Sequence, residues 1–200
     1  YFGIGAAWNE DESRAWGFPM PPLGERFEML EETLQLARAA WEGPRGTREP
    51  HEGVHYQASD PLNSPQALSQ PHPPILIGGG GERRTLKLVA KYADACNVFG
   101  TDPAQLKHKY DVLRGHCETV GREYAEIEKT FLASVSITSD GARRSLTPGA
   151  MVERLGRTAE VGAQHAIVGV RGVADLDKLE LIGRDVIPQL RKIGAPSPVD

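Results

Sequence analysis

Short apolar strands alternate with helical patterns along this chain, and this alternation limits the possible folds more than any other feature. Five strands are predicted, at residues 1–5, 75–77, 95–99, 131–137 and 166–170. Apolar residues at steps of three and four predict a helix after each strand. Repeated β-α units are typical of a parallel sheet covered by helices. We therefore expect an α/β fold and, because no linker divides the sequence, a single domain over residues 1–200.

The first long helix is predicted from one apolar face, formed by Phe27, Leu30, Leu34, Ala37 and Trp41. The charged residues between these positions are expected to face solvent, and they are Glu28, Glu31, Glu32 and Arg38. Gly43 and Pro44 are expected to end the helix. The acidic run Glu10-Asp11-Glu12, which precedes it, is interpreted as a solvated turn, with a cap or anchor as the alternative role of Glu12.

The later helices have recognisable starts. One is expected near Glu82, with inward positions Leu86, Val89, Ala90 and Ala93. Asp102-Pro103 and Thr147-Pro148 each combine a capping side chain with proline at the first helical position. The helix after Asp102 has the predicted apolar face Leu106, Tyr110, Leu113, Cys117 and Val120. The last helix starts at Asp175 and is expected to bend near Pro188, with apolar positions Leu179, Ile182, Val186, Leu190 and Ile193.

Residues 45–74 form a proline-rich segment without a helical period. The segment is too long for an ordinary connection, which indicates either a functional loop or a flexible insertion. His55, beside Tyr56, is a candidate proton donor to a substrate, although a loop histidine at the surface is the commoner case. The histidines lack the spacing of metal ligands, so no metal site is expected, and no other catalytic residue can be named.

The glycine-rich segment Gly78, Gly79, Gly80 and Gly81 lies between a predicted strand and a predicted helix that begins near Glu82. Glycines let backbone N–H groups approach a ligand, and a helix start adds unpaired N–H donors and a positive dipole end. Together these features predict a phosphate-binding cradle, to which Arg83 and Arg84 can add charge-assisted hydrogen bonds. The alternative is a tight turn followed by solvated arginines.

The run Gly3-Ile4-Gly5-Ala6-Ala7-Trp8 resembles a dinucleotide-binding fingerprint only briefly. It lacks the third glycine, and no helix pattern follows it directly, so a Rossmann fold is rejected. The remaining interpretation is a strand whose carboxyl end carries small residues beside a flat ligand. Trp8 is then either a wall of that pocket or an ordinary core residue.

Composition and charge exclude several classes of protein. The net charge of −4 over 200 residues argues against a nucleic-acid-binding surface, and no apolar run is long enough to span a membrane. Cys96 and Cys117 form neither a disulfide framework nor a metal-ligand pattern, which favours the cytoplasm. Because the sequence opens at Tyr1 within a predicted strand, we expect it to be the carboxyl-terminal part of a longer chain.

Several motifs together resemble the bacterial luciferase-like monooxygenase superfamily, and most closely its branch that uses the deazaflavin coenzyme F420. These motifs lie at residues 3–12, 25–32, 53–56, 73–79 and 88–97, and their order and spacing agree from residue 1 to about 190. The resemblance implies a (β/α)8 TIM barrel with its site at the carboxyl ends of the strands. The five strands are then the fourth to eighth of the barrel, without the first three, and residues 45–74 form a lid.

The resemblance also implies which residues bind the cofactor. Gly5, Ala6, Ala7 and Trp8 flank it. Its phosphate is held by Gly78, Gly79, Gly80 and Gly81 and by the N–H groups of Glu82 and Arg83. Asn97 ends the sixth strand and faces the cleft. Two positions depart from the pattern: Ala7 replaces a glycine, and His51 replaces an aromatic residue.

The implied reaction is hydride transfer between F420 and a small organic substrate. One alternative is a monooxygenase that uses reduced flavin mononucleotide (FMN) and oxygen, and another is a non-catalytic subunit that kept part of the barrel. The family resemblance favours a homo-oligomer. In this family the acid or base groups often come from the early strands, so this polypeptide alone is expected to have little activity. Without the first three strands, it is also expected to expose sheet edges.

Overall fold

A computed structural model describes residues 1–43, 45–46 and 49–193 of the chain. The chain divides into two compact units, Tyr1–Gly78 and the residues from Gly79 onward, and each is described by itself. The boundary falls inside the glycine-rich segment. The single domain expected from the sequence stays a prediction.

The first unit combines two parallel strands, two helices and a small hairpin. Its elements are β1 (Phe2–Ile4), α1 (Glu10–Ala15), α2 (Leu23–Trp41), β2 (His51–Glu52), β3 (Gln57–Ala58) and β4 (Ile75–Gly78). Strand β1 pairs with β4 in parallel, with Phe2 opposite Ile75 and Ile4 opposite Ile77. The core contains Leu30 and Leu34 of α2, as the apolar spacing predicts, together with the alternate β4 residues Ile75 and Ile77.

The acidic run before α2 is helical, so its interpretation as a turn is wrong. Residues 10–12 form the first turn of α1, where Asn9 accepts a hydrogen bond from the backbone N–H of Glu12 at 3.1 Å. An amide oxygen at the N-cap satisfies a free N–H group, and acidic residues in the first turn favour the helix dipole. Helix α2 ends at Trp41, close to the expected stop at Gly43, whereas Pro44 lies outside the described residues.

The hairpin β2–β3 was not predicted, and it explains why Glu32 is buried rather than exposed. Glu32 is only 8% exposed. Its carboxylate accepts hydrogen bonds from the backbone N–H groups of His55 at 2.9 Å and Tyr56 at 3.0 Å. The Nε2 atom of His51 lies 3.1 Å from the same carboxylate. The charge therefore faces the hairpin turn instead of water.

The rest of the proline-rich segment is bonded to the carboxyl-terminal end of α2. The side-chain amides of Asn63 and Gln66 both donate to the carbonyl oxygen of Ala40, at 3.0 and 2.9 Å. The segment then returns to the start of the sheet, where the backbone N–H of Phe2 donates to the carbonyl of Pro74 at 2.8 Å. These bonds place the described part of residues 45–74 along α2. Its role as a lid stays a prediction.

The second unit contains three parallel strands and their helices. Its elements are α3 (Thr85–Tyr92), β5 (Ala95–Phe99), α4 (Pro103–Val120), β6 (Glu128–Val135), α5 (Pro148–Glu160), β7 (His165–Val170), α6 (Leu176–Leu181) and α7 (Ile187–Leu190). Strand β6 lies between β5 and β7, with Asn97 opposite Thr130 and Thr130 opposite His165. All five predicted strands are present, and all of them pair in parallel.

The helix starts of the second unit confirm the capping analysis. Asp102 accepts hydrogen bonds from the first-turn N–H groups of α4, and Thr147 accepts one from the N–H of Ala150 in α5. The predicted apolar face of α4 is buried from Leu106 to Cys117. Val120 is 38% exposed, contrary to expectation, because the next residue, Gly121, ends the helix in the left-handed region.

The last helix is interrupted as the sequence suggested. A π-helical turn, Ile182–Val186, separates α6 from α7, and Pro188 is the second residue of α7. Proline removes one backbone donor and crowds the preceding turn, which accounts for the wider turn. Val186 is buried, but Leu179 and Ile193 are exposed, so the predicted apolar face holds only in part.

Candidate functional site

The carboxyl end of β1 brings part of the predicted cofactor site together in the first unit. A Cβ atom on Gly5 would lie 3.2 Å from the carbonyl oxygen of Gly78, so the close approach of β1 and β4 favours glycine there. The guanidinium of Arg26 donates to the carbonyl oxygens of Ala6 at 3.2 Å and Ala7 at 2.8 Å. Arg26 therefore fixes the backbone of the segment that leaves β1.

Ala7 adopts a left-handed backbone conformation with φ of 56°. Non-glycine residues rarely adopt this region, which explains physically why glycine is usual at this position. The two hydrogen bonds from Arg26 offset the strain that a side chain adds here.

Trp8 is 82% exposed in the first unit, so its interpretation as a core residue is wrong. It lines a pocket of about 370 Å³ together with the exposed rings of Trp16 and Phe18. The other predicted role for Trp8, as a pocket wall, agrees with this position. Sequence reasoning missed Trp16 and Phe18 because they follow an acidic run that was interpreted as a turn.

The glycine-rich segment continues in the second unit, where the fold itself requires two of its glycines. Gly79 has φ of 125°, and its N–H donates to the carbonyl oxygen of Asn97 at 2.8 Å. A Cβ atom on Gly81 would lie 2.8 Å from the hydroxyl oxygen of Thr85, which is too close for an unshifted side chain. The N–H of Gly79 is therefore bonded within the fold, and the expected role of Gly79 in holding the phosphate stays a prediction.

Gly80 is different, because the surrounding protein does not exclude a side chain there. A Cβ atom on Gly80 would make only an ordinary contact, 3.8 Å from Cε of Lys109. Within the described residues, the N–H groups of Gly80, Gly81, Glu82 and Arg83 have no hydrogen-bond acceptor. These four consecutive donors fit an anion, which supports the predicted phosphate cradle.

Helix α3 begins at Thr85, three residues later than expected. The N–H of Leu86 reaches back to the carbonyl of Gly81 at 3.0 Å, and residues 82–84 form a turn. Arg84 is the N-cap and provides no side-chain cap. The cradle therefore consists mainly of the backbone of the glycine segment and the turn, and the helix dipole contributes from further along the chain.

Glu82 is held by three residues of α4 that the sequence analysis missed. Its Oε1 atom accepts hydrogen bonds from Nζ of Lys109 at 2.6 Å and from Nε2 of His108 at 3.0 Å. Its carbonyl oxygen accepts a hydrogen bond from Nε2 of His116 at 2.8 Å. The bond from Lys109 is the main reason why the pKa of Glu82 is lowered, so its carboxyl group is ionised at neutral pH. The available signal was that His116 follows Lys109 and His108 by seven and eight residues, which places these side chains along one side of the helix.

The two remaining cofactor-binding candidates differ in their surroundings. Arg83 is exposed. Asn97 lies in the middle of β5 rather than at its end, which corrects the expected position. Its Oδ1 atom accepts a hydrogen bond from the hydroxyl group of Thr130 at 3.2 Å, and the same hydroxyl donates to the carbonyl of Cys96 at 2.7 Å.

His55, the candidate proton donor, is bonded on the hairpin of the first unit. Its Nε2 atom lies 3.3 Å from a carboxylate oxygen of Glu28, and its backbone N–H donates to Glu32. These bonds give His55 a structural role in holding the hairpin against α2. Its role in catalysis stays a prediction.

Neither cysteine is arranged for reaction. Cys96 and Cys117 are both buried and free, and burial raises the pKa of Cys96 to about 11. Among the described residues, no group of three or more His, Cys, Asp or Glu side chains is placed to hold a metal ion. In the part of the chain that the structure describes, no helix combines the length and apolar character that crossing a bilayer requires.

Curated relatives of this chain include enzymes of two cofactor types. An uncharacterised protein of Mycobacterium tuberculosis is 34% identical over 92 residues, which are 46% of this chain and 30% of the relative. The F420-dependent glucose-6-phosphate dehydrogenase of Microbacterium testaceum is 25% identical over 236 residues, covering 95% of this chain and 68% of that enzyme. The FMNH2-dependent dimethylsulfone monooxygenase of Pseudomonas putida is 24% identical over 148 residues, covering 68% and 40%.

Solved structures with the same fold also include both types. An F420-dependent secondary alcohol dehydrogenase, in complex with an F420-acetone adduct, superposes with a TM-score of 0.79 at 16% identity. That superposition covers 95% of this chain and 69% of the dehydrogenase. A riboflavin lyase with modified FMN and riboflavin gives a TM-score of 0.75 at 14% identity, covering 95% and 64%. At these identities the likeness concerns the fold, and it confirms the expected luciferase-like α/β barrel architecture with five parallel strands.

A sequence model of the luciferase-like monooxygenases matches residues 1–181, which is most of the chain. The match includes both segments that carry the predicted site, β1 with its carboxyl-terminal extension and the glycine-rich segment after β4. It confirms the resemblance deduced from the sequence motifs. The chain belongs to the luciferase-like monooxygenase family.

Proposed function

We propose that this chain carries the phosphate-binding part of an F420-dependent oxidoreductase that transfers a hydride between the deazaflavin and a small organic substrate. The observation that carries the proposal is the run of free backbone donors from Gly80 to Arg83, beside the ammonium group of Lys109. Backbone N–H groups in such a run bind the oxygens of a phosphate.

The residues present fit the phosphate of the cofactor. The chain spans 68% of the F420-dependent relative and 30% of the uncharacterised mycobacterial relative, so the activity, substrate and partners of the whole protein are proposals. F420 supplies the hydride chemistry when bound. The chain's own part is to bind the phosphate through Gly80, Gly81, Glu82 and Arg83.

The residues after β1 supply the other predicted contact with the cofactor. Arg26 holds the carbonyls of Ala6 and Ala7 in place, and Trp8 presents an exposed ring on the same segment. A flat aromatic ring beside a fixed backbone is suited to bind a planar ring system. We therefore assign this segment to the ring or tail of the cofactor.

We further propose that the whole protein forms a homo-oligomer in the cytoplasm.

An FMN-dependent monooxygenase is the second candidate, because a relative of that type matches 68% of the chain. The F420-dependent relative matches 95% at a similar identity, and this larger share favours F420. A phosphate cradle alone serves both cofactors, since each carries a phosphate group. A measurement of binding affinity must therefore distinguish F420 from FMN.

The test is an equilibrium titration of the purified chain with F420 and with FMN, followed by cofactor fluorescence. We expect saturable binding of F420 that is at least tenfold tighter than binding of FMN. Tighter binding of FMN would refute the choice of F420 and favour the monooxygenase alternative. Binding of neither cofactor would refute the proposal and favour a non-catalytic subunit.

Gly80→Ala tests the location of the phosphate within the same titration. The fold tolerates a Cβ at this position, whereas substitutions of Gly79 or Gly81 disturb the protein itself. We expect Gly80→Ala to keep the thermal stability of the wild type and to weaken F420 binding at least tenfold. An unchanged affinity would place the phosphate elsewhere. Gly115→Ala, on α4 with no atom near its added Cβ, is the matched control.

A further inference from the structure

Lys109 reaches the glycine segment from α4. Its Cε atom lies 3.8 Å from the position of a Cβ on Gly80, and its Nζ atom lies 2.6 Å from Oε1 of Glu82. The side chain of Lys109 is 29% exposed, so it is partly buried and still partly accessible to a ligand. Among Gly79, Gly80 and Gly81, Gly80 is the glycine that the fold does not require. Lys109 is the side chain that lies nearest to it.

The ammonium group of Lys109 has unused hydrogen-bonding capacity. It carries three donors, and within the described residues it bonds only to Glu82. Glu82 in turn accepts from His108 at the same oxygen atom, so its carboxylate keeps a partner when Lys109 turns toward another anion. The pair therefore consists of an ammonium group with free hydrogen-bond donors and a carboxylate that restricts the position of this ammonium group.

We propose that Lys109 is a further ligand of the phosphate in the cradle, and that Glu82 positions its ammonium group beside Gly80 while competing with the phosphate for it. This inference rests on the proposed function and adds a charged side chain to a cradle that consists otherwise of backbone donors. A charge-assisted bond from an ammonium to a phosphate oxygen is stronger than a bond from a neutral donor. Lys109 thus makes the cradle selective for an anion.

A direct contact of Lys109 with the phosphate and a purely structural ion pair predict different changes in cofactor affinity when Glu82 is substituted. If the pair only stabilised the contact between α4 and the segment, removal of either partner would weaken cofactor binding in the same direction. If Lys109 binds the phosphate, removal of its charge weakens binding, whereas removal of the competing Glu82 charge strengthens it. Glu82→Gln keeps the size and an oxygen acceptor for Lys109, which makes it the suitable counterpart of Lys109→Met.

The experiment titrates wild type, Lys109→Met and Glu82→Gln with F420, FMN and the phosphate-free deazaflavin chromophore, at low and moderate salt. Lys107→Met is the matched control, because Lys107 lies on the same helix and pairs with Asp111 at 2.7 Å. We expect Lys109→Met to weaken binding of the phosphate-bearing cofactor about tenfold, and Glu82→Gln to tighten it about twofold to fivefold. Lys107→Met is expected to leave binding within about twofold, as is typical of an exposed pair.

The phosphate-free chromophore separates a direct contact from a general disturbance. Its affinity is expected to be the same in wild type and Lys109→Met. Equal F420 affinity of wild type and Lys109→Met would overturn the inference, as would weaker binding in both Lys109→Met and Glu82→Gln. Failure of the wild type to bind any of the phosphate-bearing cofactors would refute the proposed function itself, so the two failures are distinguishable. Lys109→Gln replaces Lys109→Met if the latter does not fold, with the same expected result.

Discussion

Thr85 lies beneath the glycine segment, and its contact with Gly81 gives a quantitative prediction. A Cβ on Gly81 would lie 2.8 Å from the Thr85 hydroxyl oxygen, whereas ordinary contacts begin near 3.4 Å, so the two groups must separate by about 0.6 Å. Forcing extra atoms into a packed site typically costs about 1–3 kcal/mol. Alanine recovers about 0.4–1 kcal/mol by restricting the unfolded chain. Gly81→Ala is therefore expected to destabilise the protein by about 0.5–2 kcal/mol.

A double-mutant cycle measured by urea unfolding tests this reasoning. Thr85→Ala removes both the hydroxyl and the methyl group, so the added Cβ of Gly81→Ala then makes only an ordinary contact, 3.6 Å from the Cβ of residue 85. We expect Gly81→Ala to cost less than about 0.5 kcal/mol in the Thr85→Ala background. The control Gly115→Ala, in the interior of α4, should stabilise by about 0.5–1 kcal/mol because alanine is the better helix former. Equal costs of Gly81→Ala in the two backgrounds would refute the role of Thr85.

Three further predictions concern buried groups. Burial alone would raise the pKa of Glu32, but hydrogen bonds from the N–H groups of His55 and Tyr56 outweigh this effect and lower the pKa below 4.5. The ionised carboxylate therefore stabilises the fold above pH 4.5. In urea unfolding curves, the stability advantage of the wild type over Glu32→Gln should disappear as the pH falls through the lowered pKa. The buried hydroxyl of Tyr110 has no partner among the described residues, so Tyr110→Phe should raise stability by up to about 1 kcal/mol, and a loss above 1 kcal/mol would disprove this. Burial raises the pKa of Cys96 to about 11, so a thiol reagent at pH 8 should modify it only after unfolding, and rapid labelling of the native protein would contradict the burial.

The strands and most helix starts were predictable because their signals are local. Short apolar runs mark the five strands, and Asp102-Pro103 and Thr147-Pro148 mark helix starts that the structure confirms within the expected residues. The start of α3 was misplaced because Glu82 follows glycines directly, as a first helical residue often does. In the structure residues 82–84 form a turn instead, and the N–H of Leu86 bonds back to the carbonyl of Gly81, an arrangement that has no local sequence signal.

The candidate site was predictable only in its backbone part. Four consecutive glycines indicated a backbone that approaches a ligand, which stays a prediction, and the fold requires Gly79 and Gly81 for its own reasons. Lys109 was missed because it lies far along the chain from Glu82 and is brought close only by the packing of α4. The burial of Glu32 was missed for the same reason, since its partners come from a hairpin without a sequence period.

The central claim is that the backbone donors of Gly80, Gly81, Glu82 and Arg83 hold the cofactor's phosphate. Amide resonances measured by NMR during a titration with F420 test it most directly, since the chain is only 21.8 kDa. We expect these four amides to shift far more than the amide of Gly156 in α5 as F420 reaches saturation. Saturable binding of F420 that leaves the four amides unmoved would contradict the claim.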